Sequence, residues 1–472
     1  MEAKSYQKTG IHMGLILVIV LLTGGVSLQG EDLSFYRGAD ISSLPELESD
    51  SVLFRDNSIT DDALSILKMH GINSIRIRLW HTPDEPWNGL NKTLEMAQRI
   101  KNAGLHFLLD IHYSDWWADP AHQTPPSVWD ALTVDEMADS VYNYTSHVMS
   151  SLLNVGALPD MVQIGNEIGC GMLWPLGAVC GENDTAEQWQ NLAGFINAGV
   201  QAVADAAGDS VQIMIHDFRG GDASGALWFY SHLDEYGVEY DVIGLSYYPW
   251  WHGDLSDLAA NMGNLAYTFE KPVVVVETAY PWTLAWNDNT NNIVGSEDQL
   301  LSGYPATPAG QAQFLSDLMD RVEDVWGGYG SGVYYWEPAW TSGASSGSPW
   351  ENLALFDFEG GALEGLRVFQ EPVGVSNAEP VNKSNELIAF PNPSNGMTRI
   401  SFKLDDIGRN HLRIHTIEGR EVLTRAFNGT PNSRLSWEWN QTSNSGQIIP
   451  SGLYILSQQG GGSSSRKVLI IK

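Results

Sequence analysis

Apolar residues along this chain gather in short dense runs separated by longer amphipathic stretches. The runs at 35–39, 73–80, 105–112, 161–165, 211–216, 242–247, 273–277 and 332–336 each have the length of a strand. Val273 to Val276 is four consecutive valines, the composition of a strand buried on both faces in a parallel sheet. In 73–80 the alternation Asn-Ser-Ile-Arg-Ile-Arg-Leu-Trp sets Arg76 and Arg78 on one face. Between the runs, helical spacing fills 94–103, 136–153, 186–206, 255–269 and 311–326. Strand and helix alternating eight times within about 340 residues predicts an α/β fold of the (β/α)8 TIM barrel type, with its site at the C-terminal ends of the strands.

The pattern changes after Phe369. Residues 371–386 hold two prolines and many small polar residues without periodicity, and read as a linker. Beyond it, short alternating runs at 398–404, 412–417, 435–439, 453–456 and 467–471 predict a small all-β sandwich. At the other end Lys4 and Lys8 precede an apolar core, 15–22, and the small residues Gly24, Gly25 and Ser27. This is the layout of a cleavable export signal, too short to span a bilayer comfortably. The expected organisation is a signal peptide at 1–30, a barrel at 31–370, a linker at 371–386 and a C-terminal sandwich at 387–472, with no transmembrane segment in the mature protein.

Charge narrows the partners. With 25 Lys and Arg against 57 Asp and Glu, the formal charge of −32 would repel phosphate backbones, so nucleic acid is not expected. The 18 tryptophans and 17 tyrosines suit the flat apolar faces of sugar rings.

Two of the buried runs end on carboxylates. Gln163-Ile-Gly-Asn-Glu167 finishes the fourth strand with Asn166 and Glu167, and the valine run of the seventh finishes on Glu277. A proton-donating carboxyl and a nucleophilic one at the carboxyl ends of two buried strands are the requirement of a retaining glycosidase. Glu167 is expected to be held protonated by burial and by the like charge of Glu277, and Asn166 to bond a sugar 2-hydroxyl. Arg76 and the Tyr247 hydroxyl are expected to hold Glu277 ionised. Residues 110–119, Asp-Ile-His-Tyr-Ser-Asp-Trp-Trp-Ala-Asp, offer Trp116 or Trp117 as a stacking face, with His112 and Asp115 as hydroxyl partners. Tyr-Tyr-Pro-Trp-Trp-His at 247–252 adds Trp250, and the Trp336 to Trp340 stretch closes the rim. Cys170 and Cys180 follow the first glutamate and are expected to form a disulfide, two unpaired thiols being the alternative. Residues 287–298, rich in Asn, Asp and Glu, read as a solvated loop, with structural calcium as the alternative. No cofactor is required for the chemistry.

Together these residues resemble the arabinogalactan endo-β-1,4-galactanases, glycosyl hydrolase family 53. The resemblance rests on Phe-Tyr-Arg-Gly-Ala-Asp-Ile-Ser at 35–42, Arg-Ile-Arg-Leu-Trp at 76–80, His-Tyr-Ser-Asp from 112 and Gln-Ile-Gly-Asn-Glu at 163–167. It continues in Ser-Tyr-Tyr-Pro-Trp-Trp-His at 246–252, Val-Val-Glu-Thr at 275–278 and Tyr-Trp-Glu-Pro-Ala-Trp at 335–340. It implies Glu167 as acid/base, Glu277 as nucleophile, His216 among the substrate-binding residues, and β-1,4-galactan side chains of pectin as substrate. His216-Asp217-Phe218 departs from the expected His-Leu-Asp and leaves the role of Asp217 open.

The tail resembles a type A sorting domain of the type IX secretion system of Bacteroidetes. The residues that carry this are Phe390-Pro-Asn-Pro-Ser-Asn-Gly396, 414–419, Pro450-Ser-Gly-Leu-Tyr454 and 467–472. It implies the secretion machinery as a partner and release from, or attachment to, the outer cell surface; a carbohydrate-binding sandwich is the alternative. For the barrel, the competing readings are an endo-glycanase acting on mannan or a β-glucan, and a non-catalytic polysaccharide-binding barrel.

Overall fold

The computed structural model describes residues 35–343, 347–370, 387–390, 396–403, 410–416, 419–427, 434–459 and 464–470. The expected export signal and linker lie outside these residues. Eight strands close a parallel barrel: β1 (Tyr36–Asp40), β2 (Ser74–Leu79), β3 (His106–Ile111), β4 (Met161–Ile164), β5 (Gln212–Asp217), β6 (Val242–Ser246), β7 (Val273–Thr278) and β8 (Gly330–Trp336). They run in sequence order around the ring, with β1 paired to both β2 and β8. All eight coincide with the apolar runs.

The connecting helices are α1 (Ala63–Met69), α2 (Leu90–Asn102), α3 (Val134–Asn154), α4 (Ala186–Ala207), α5 (Ala223–Glu235), α6 (Leu255–Phe269) and α7 (Pro308–Glu323). Their starts have local causes. Thr133 and Glu136 form a reciprocal capping box at α3, as Asp254 and Asp257 do at α6. α7 begins three residues before its apolar spacing suggests, because Thr307 caps it and Pro308 fits the first turn.

Side-chain parity explains the two-sided burial of the strands. On β7, Val274 and Val276 fill the barrel interior with Leu108, Met161, Met214 and Tyr334, while Val273 and Val275 pack in the outer core. Strict alternation would then turn Glu277 outward. The ladder shifts instead: Leu245 pairs with Val275 but Ser246 pairs with Glu277, a bulge at Val276 that re-aims the glutamate.

The tail forms β9 (Ile388–Phe390), β10 (Thr398–Lys403), β11 (Asn410–Thr416), β12 (Glu421–Phe427), β13 (Arg434–Trp439), β14 (Gly452–Gln459) and β15 (Ser464–Ile470). Three strands make one antiparallel sheet, β9-β10-β13, and four the other, β12-β11-β14-β15. Ile400, Phe402, Leu412, Ile414, Trp439 and Leu456 form a hydrophobic cluster separate from those of the barrel.

Candidate active site

A cleft of about 890 Å³ opens at the C-terminal ends of the barrel strands, lined among others by Arg76, His112, Asn166, Glu167, Glu277, Trp336 and Trp340. Its size suits a small-molecule or oligosaccharide site. The cleft floor is organised by one buried guanidinium. Arg76 Nη1 donates to Asp40 Oδ2 at 3.0 Å and to Glu277 Oε1 at 2.8 Å, and Nη2 donates to Asp110 Oδ2 and Asn166 Oδ1, both at 2.8 Å. One cation thus faces three carboxylates taken out of water, and breaking such a group is costly because its members are left uncompensated. Burial pushes Asp110 up, but Arg76 and His112 together hold it below the usual carboxylate range. His112 donates from Nε2 to Asp110 at 2.9 Å, and its Nδ1 accepts from Trp80 Nε1 and the Ala118 amide, each at 3.2 Å.

The two glutamates are held differently. Glu277 receives Arg76 on one oxygen and the Tyr248 hydroxyl, at 3.0 Å, on the other. Burial raises its pKa, and the guanidinium works against that rise. Glu167 is held by a neutral group, the Ser246 hydroxyl at 2.6 Å, and follows Gly165 in a reversal where both residues have positive φ, 78° and 52°. Burial, and after it the charge of Glu277, push the Glu167 carboxyl well above the usual range, favouring its protonated form.

Behind Glu167 stands His216, fully buried and outside the cleft lining. Its Nε2 is 2.9 Å from Ser246 Oγ and its Nδ1 is 3.0 Å from Asn166 Oδ1. Burial, followed by the charges of Arg76 and His112, holds its pKa well below the usual range, so the imidazole is neutral. It touches the site through Ser246, Asn166 and the Glu167 amide, which donates to Nδ1 at 3.3 Å.

Several expectations require correction. The hydroxyl beside Glu277 belongs to Tyr248, and Tyr247 faces away from the cleft. β6 ends at Ser246, which points inward; the next side chain points outward, and Tyr248 turns back in. Tyr247 stacks on Phe314 of α7 at 6.5 Å and donates to Gly253 O at 3.0 Å. Trp250 packs behind Tyr248 and Trp350, and it is Trp251, 59% exposed, that lines the cleft. Trp117 lines the cleft, stacked on Trp340 at 6.4 Å with the Arg78 guanidinium 4.2 Å over its ring. Trp116 and Asp115 lie instead in an adjoining groove. The left-handed backbone at Tyr113 lies between His112 and this pair of rings and takes the chain out of strand parity.

Cys170 and Cys180 form a disulfide, and the Arg219 guanidinium lies 3.5 Å from both sulfurs. Arg219 also donates to Gly169 O and Asp217 Oδ1, each at 3.0 Å, which gives Asp217 a place: its carboxyl orients the arginine that ties the loop after Glu167 to the end of β5. Burial pushes Asp217 up to about 6 against the pull of that arginine.

The loop at 287–298 is tied to the facing loop through acidic side chains. Asp288 Oδ2 accepts from Ser342 Oγ and the Ser348 amide, both at 2.8 Å, and Glu351 Oε1 accepts from the Asn287 amide at 2.6 Å. Among the described residues no group of three or more His, Cys, Asp or Glu converges to hold a metal ion. Nor, among them, is any helix long and apolar enough to cross a membrane.

Asp40, Asp110, Ser246 and Tyr248 were not singled out as site residues by sequence reasoning. Three of them carried a signal, since Asp40 and Asp110 end or nearly end barrel strands as the glutamates do, and Ser246 ends β6.

The chain is similar to known proteins. Residues 36–369 match the family Glycosyl hydrolase family 53, and residues 388–472 match the Secretion system C-terminal sorting domain. An arabinogalactan endo-beta-1,4-galactanase of Cellvibrio japonicus is 37% identical, the match covering 72% of this chain and 91% of that protein. The GH53 catalytic domain of Ignisphaera aggregans superposes with a TM-score of 0.67 at 37% identity, covering 71% of this chain and 96% of that one. A solved fungal β-1,4-galactanase gives a TM-score of 0.63 at 34% identity, covering 71% and 99%. The closed barrel, its cleft and these matches agree, and the chain belongs to glycosyl hydrolase family 53.

Proposed function

We propose that this protein is a secreted endo-β-1,4-galactanase that cleaves galactan and arabinogalactan side chains of pectin by retaining double displacement. The observation that carries the reading is the unequal holding of two buried carboxyls in one cleft. Glu277, on Arg76 and Tyr248, is kept oriented and available as an anion, while Glu167, which has no cation bonded to its carboxyl among the described residues, is kept as the acid by burial and by the charge of Glu277. Separation of two carboxyl pKa values by environment is the general way an acid and a nucleophile are assigned.

In the first step a Glu277 oxygen forms a bond to the anomeric carbon as the glycosidic C–O bond breaks, and the Glu167 proton goes to the leaving oxygen. In the second, Glu167, now a carboxylate, takes a proton from water as that water displaces Glu277 and frees the sugar. Asn166 Nδ2 commits one N–H to Ala118 O at 2.8 Å, and its other N–H serves the 2-hydroxyl. Trp336, Trp340 and Trp117 supply flat faces to the rings. The amino-terminal segment 1–30 acts as signal peptide, and the tail hands the enzyme to a type IX secretion system for release or surface attachment. Support comes from the sorting-domain match and from relatives named as galactanases.

The test is a product assay on debranched galactan beside β-mannan and carboxymethylcellulose, with Glu277→Ala as control. Short galacto-oligosaccharides from galactan alone, absent with the variant, are expected. Activity confined to another glycan would overturn the substrate, and binding without turnover on any of them would overturn the enzymatic reading.

A further inference from the structure

Beside the cleft lies a groove of about 520 Å³ that shares Trp117 and Asp119 with it. Its wall includes Trp116, which is 57% exposed although it is one of the largest apolar side chains in the barrel. A single exposed ring is ordinary on a surface, but this one stands beside Trp117 in a concave groove that continues the cleft and is rimmed by polar side chains.

The ring is held in place. Trp116 packs on Trp80 with centroids 4.9 Å apart, and Trp80 is itself buried and fixed by its Nε1 bond to His112. The loop is pinned by Asp115, whose Oδ1 accepts from the Thr82 amide at 2.9 Å. Its Oδ2 accepts from the Ser127 amide at 2.9 Å and the Ser127 hydroxyl at 2.8 Å. Asp115 therefore shapes the groove and is not free to bind in it. Two further groups in the groove, Asp119 and the exposed His122, bond each other and offer polar edges around the ring. A fixed aromatic face with carboxylate and imidazole edges, continuous with a polysaccharide cleft, fits another stretch of the same neutral polymer. A phosphorylated or otherwise anionic ligand would meet Asp119 and Asp130.

We propose that this groove is an auxiliary binding site for galactosyl units of the same chain that lie beyond those in the cleft, with Trp116 as its stacking platform. This rests on the galactanase reading above. It makes the enzyme favour long polymer over short oligomers, because an immobilised aromatic side chain gives contact area at little entropic cost.

The experiment compares kcat/KM on debranched galactan with kcat/KM on the shortest oligogalactoside the full-length protein cleaves, for wild type, Trp116→Ala, Trp116→Phe and His122→Ala. The polymer-to-oligomer ratio is expected to fall roughly fivefold or more in Trp116→Ala, as for loss of a central aromatic contact. The fall should come through KM on polymer, be smaller in His122→Ala, and be largely reversed in Trp116→Phe. An unchanged ratio, whether the variants are fully active or evenly impaired, would overturn the groove while leaving the galactanase reading intact. A wild type inert on both substrates would overturn the reading beneath it and the groove together.

Discussion

The Ser246 hydroxyl donates to Oε1 of Glu167 at 2.6 Å. Ser246 also lies 2.9 Å from His216 Nε2, so one hydroxyl joins the Glu167 carboxyl to a neutral, buried imidazole. When Glu167 is ionised, the serine proton points at it and the imidazole Nε2–H donates to the serine.

This relationship fixes the sign of a pH effect. The Ser246 bond lowers the Glu167 pKa against the larger upward push of burial and of Glu277. Removing it in Ser246→Ala should therefore move the basic limb of the kcat/KM profile to higher pH, since activity needs the protonated acid. A pH–rate series on galactan checks this, and an unmoved basic limb would show that the serine does not act on Glu167.

Tyr248 and Tyr247 should separate cleanly. Tyr248→Phe removes a donor to the Glu277 carboxylate and should lower kcat by about ten- to hundredfold, the worth of a hydrogen bond to a charged group. Tyr247→Phe loses only the bond to Gly253 O and should cost about 1 kcal/mol of stability while turnover stays near wild type. Steady-state kinetics and urea unfolding of both variants measure the two effects, and equal kinetic losses would contradict the placement of the rings.

That pair also shows what the chain made legible. The eight strands could be read because each is buried on both faces and so is a dense apolar run, and Arg76 and the two glutamates could be read because they interrupt or end such runs. The Tyr247 and Tyr248 choice could not, since the strand stops at Ser246 and a helical turn, Pro249–His252, follows at once. The neighbouring rings Trp116 and Trp117, and Trp250 and Trp251, raise the same difficulty: loop backbone, not periodicity, decides which faces the cleft. The Ser246 to His216 link joins separate strands, and the bulge at Val276 exists only in the pairing of β6 with β7. Neither leaves a mark in local sequence.

Arg76→Gln should remove both fold stability and activity. It leaves Asp40, Asp110 and Glu277 buried without their shared cation, a loss of about 3 to 5 kcal/mol by comparison with other broken buried pairs. Because Arg76 lowers the Glu277 pKa, any residual activity should show an acidic limb displaced to higher pH. Denaturation curves and a pH–rate profile test the two parts separately.

Asp217→Asn should change how stability depends on pH. A carboxyl whose native pKa is raised from 3.8 to about 6 contributes stability that is full below 3.8 and is lost as pH rises through about 6. Asn cannot ionise, so between pH 4 and pH 7 the variant should gain on wild type by about 3 kcal/mol, whatever constant cost it carries from the altered Arg219 contact. Urea unfolding at four pH values between these limits measures the difference, and a parallel pair of curves would contradict it.

The central claim is that Glu277 is the nucleophile of a retaining galactanase. The most direct measurement is to trap the glycosyl-enzyme with a 2-deoxy-2-fluoro galactobiosyl fluoride and locate the adduct by peptide mass spectrometry. The account predicts a single adduct on the peptide that carries Glu277, absent in Glu277→Ala. An adduct on the Glu167 peptide, or equal labelling of the Glu277→Ala variant, would contradict it.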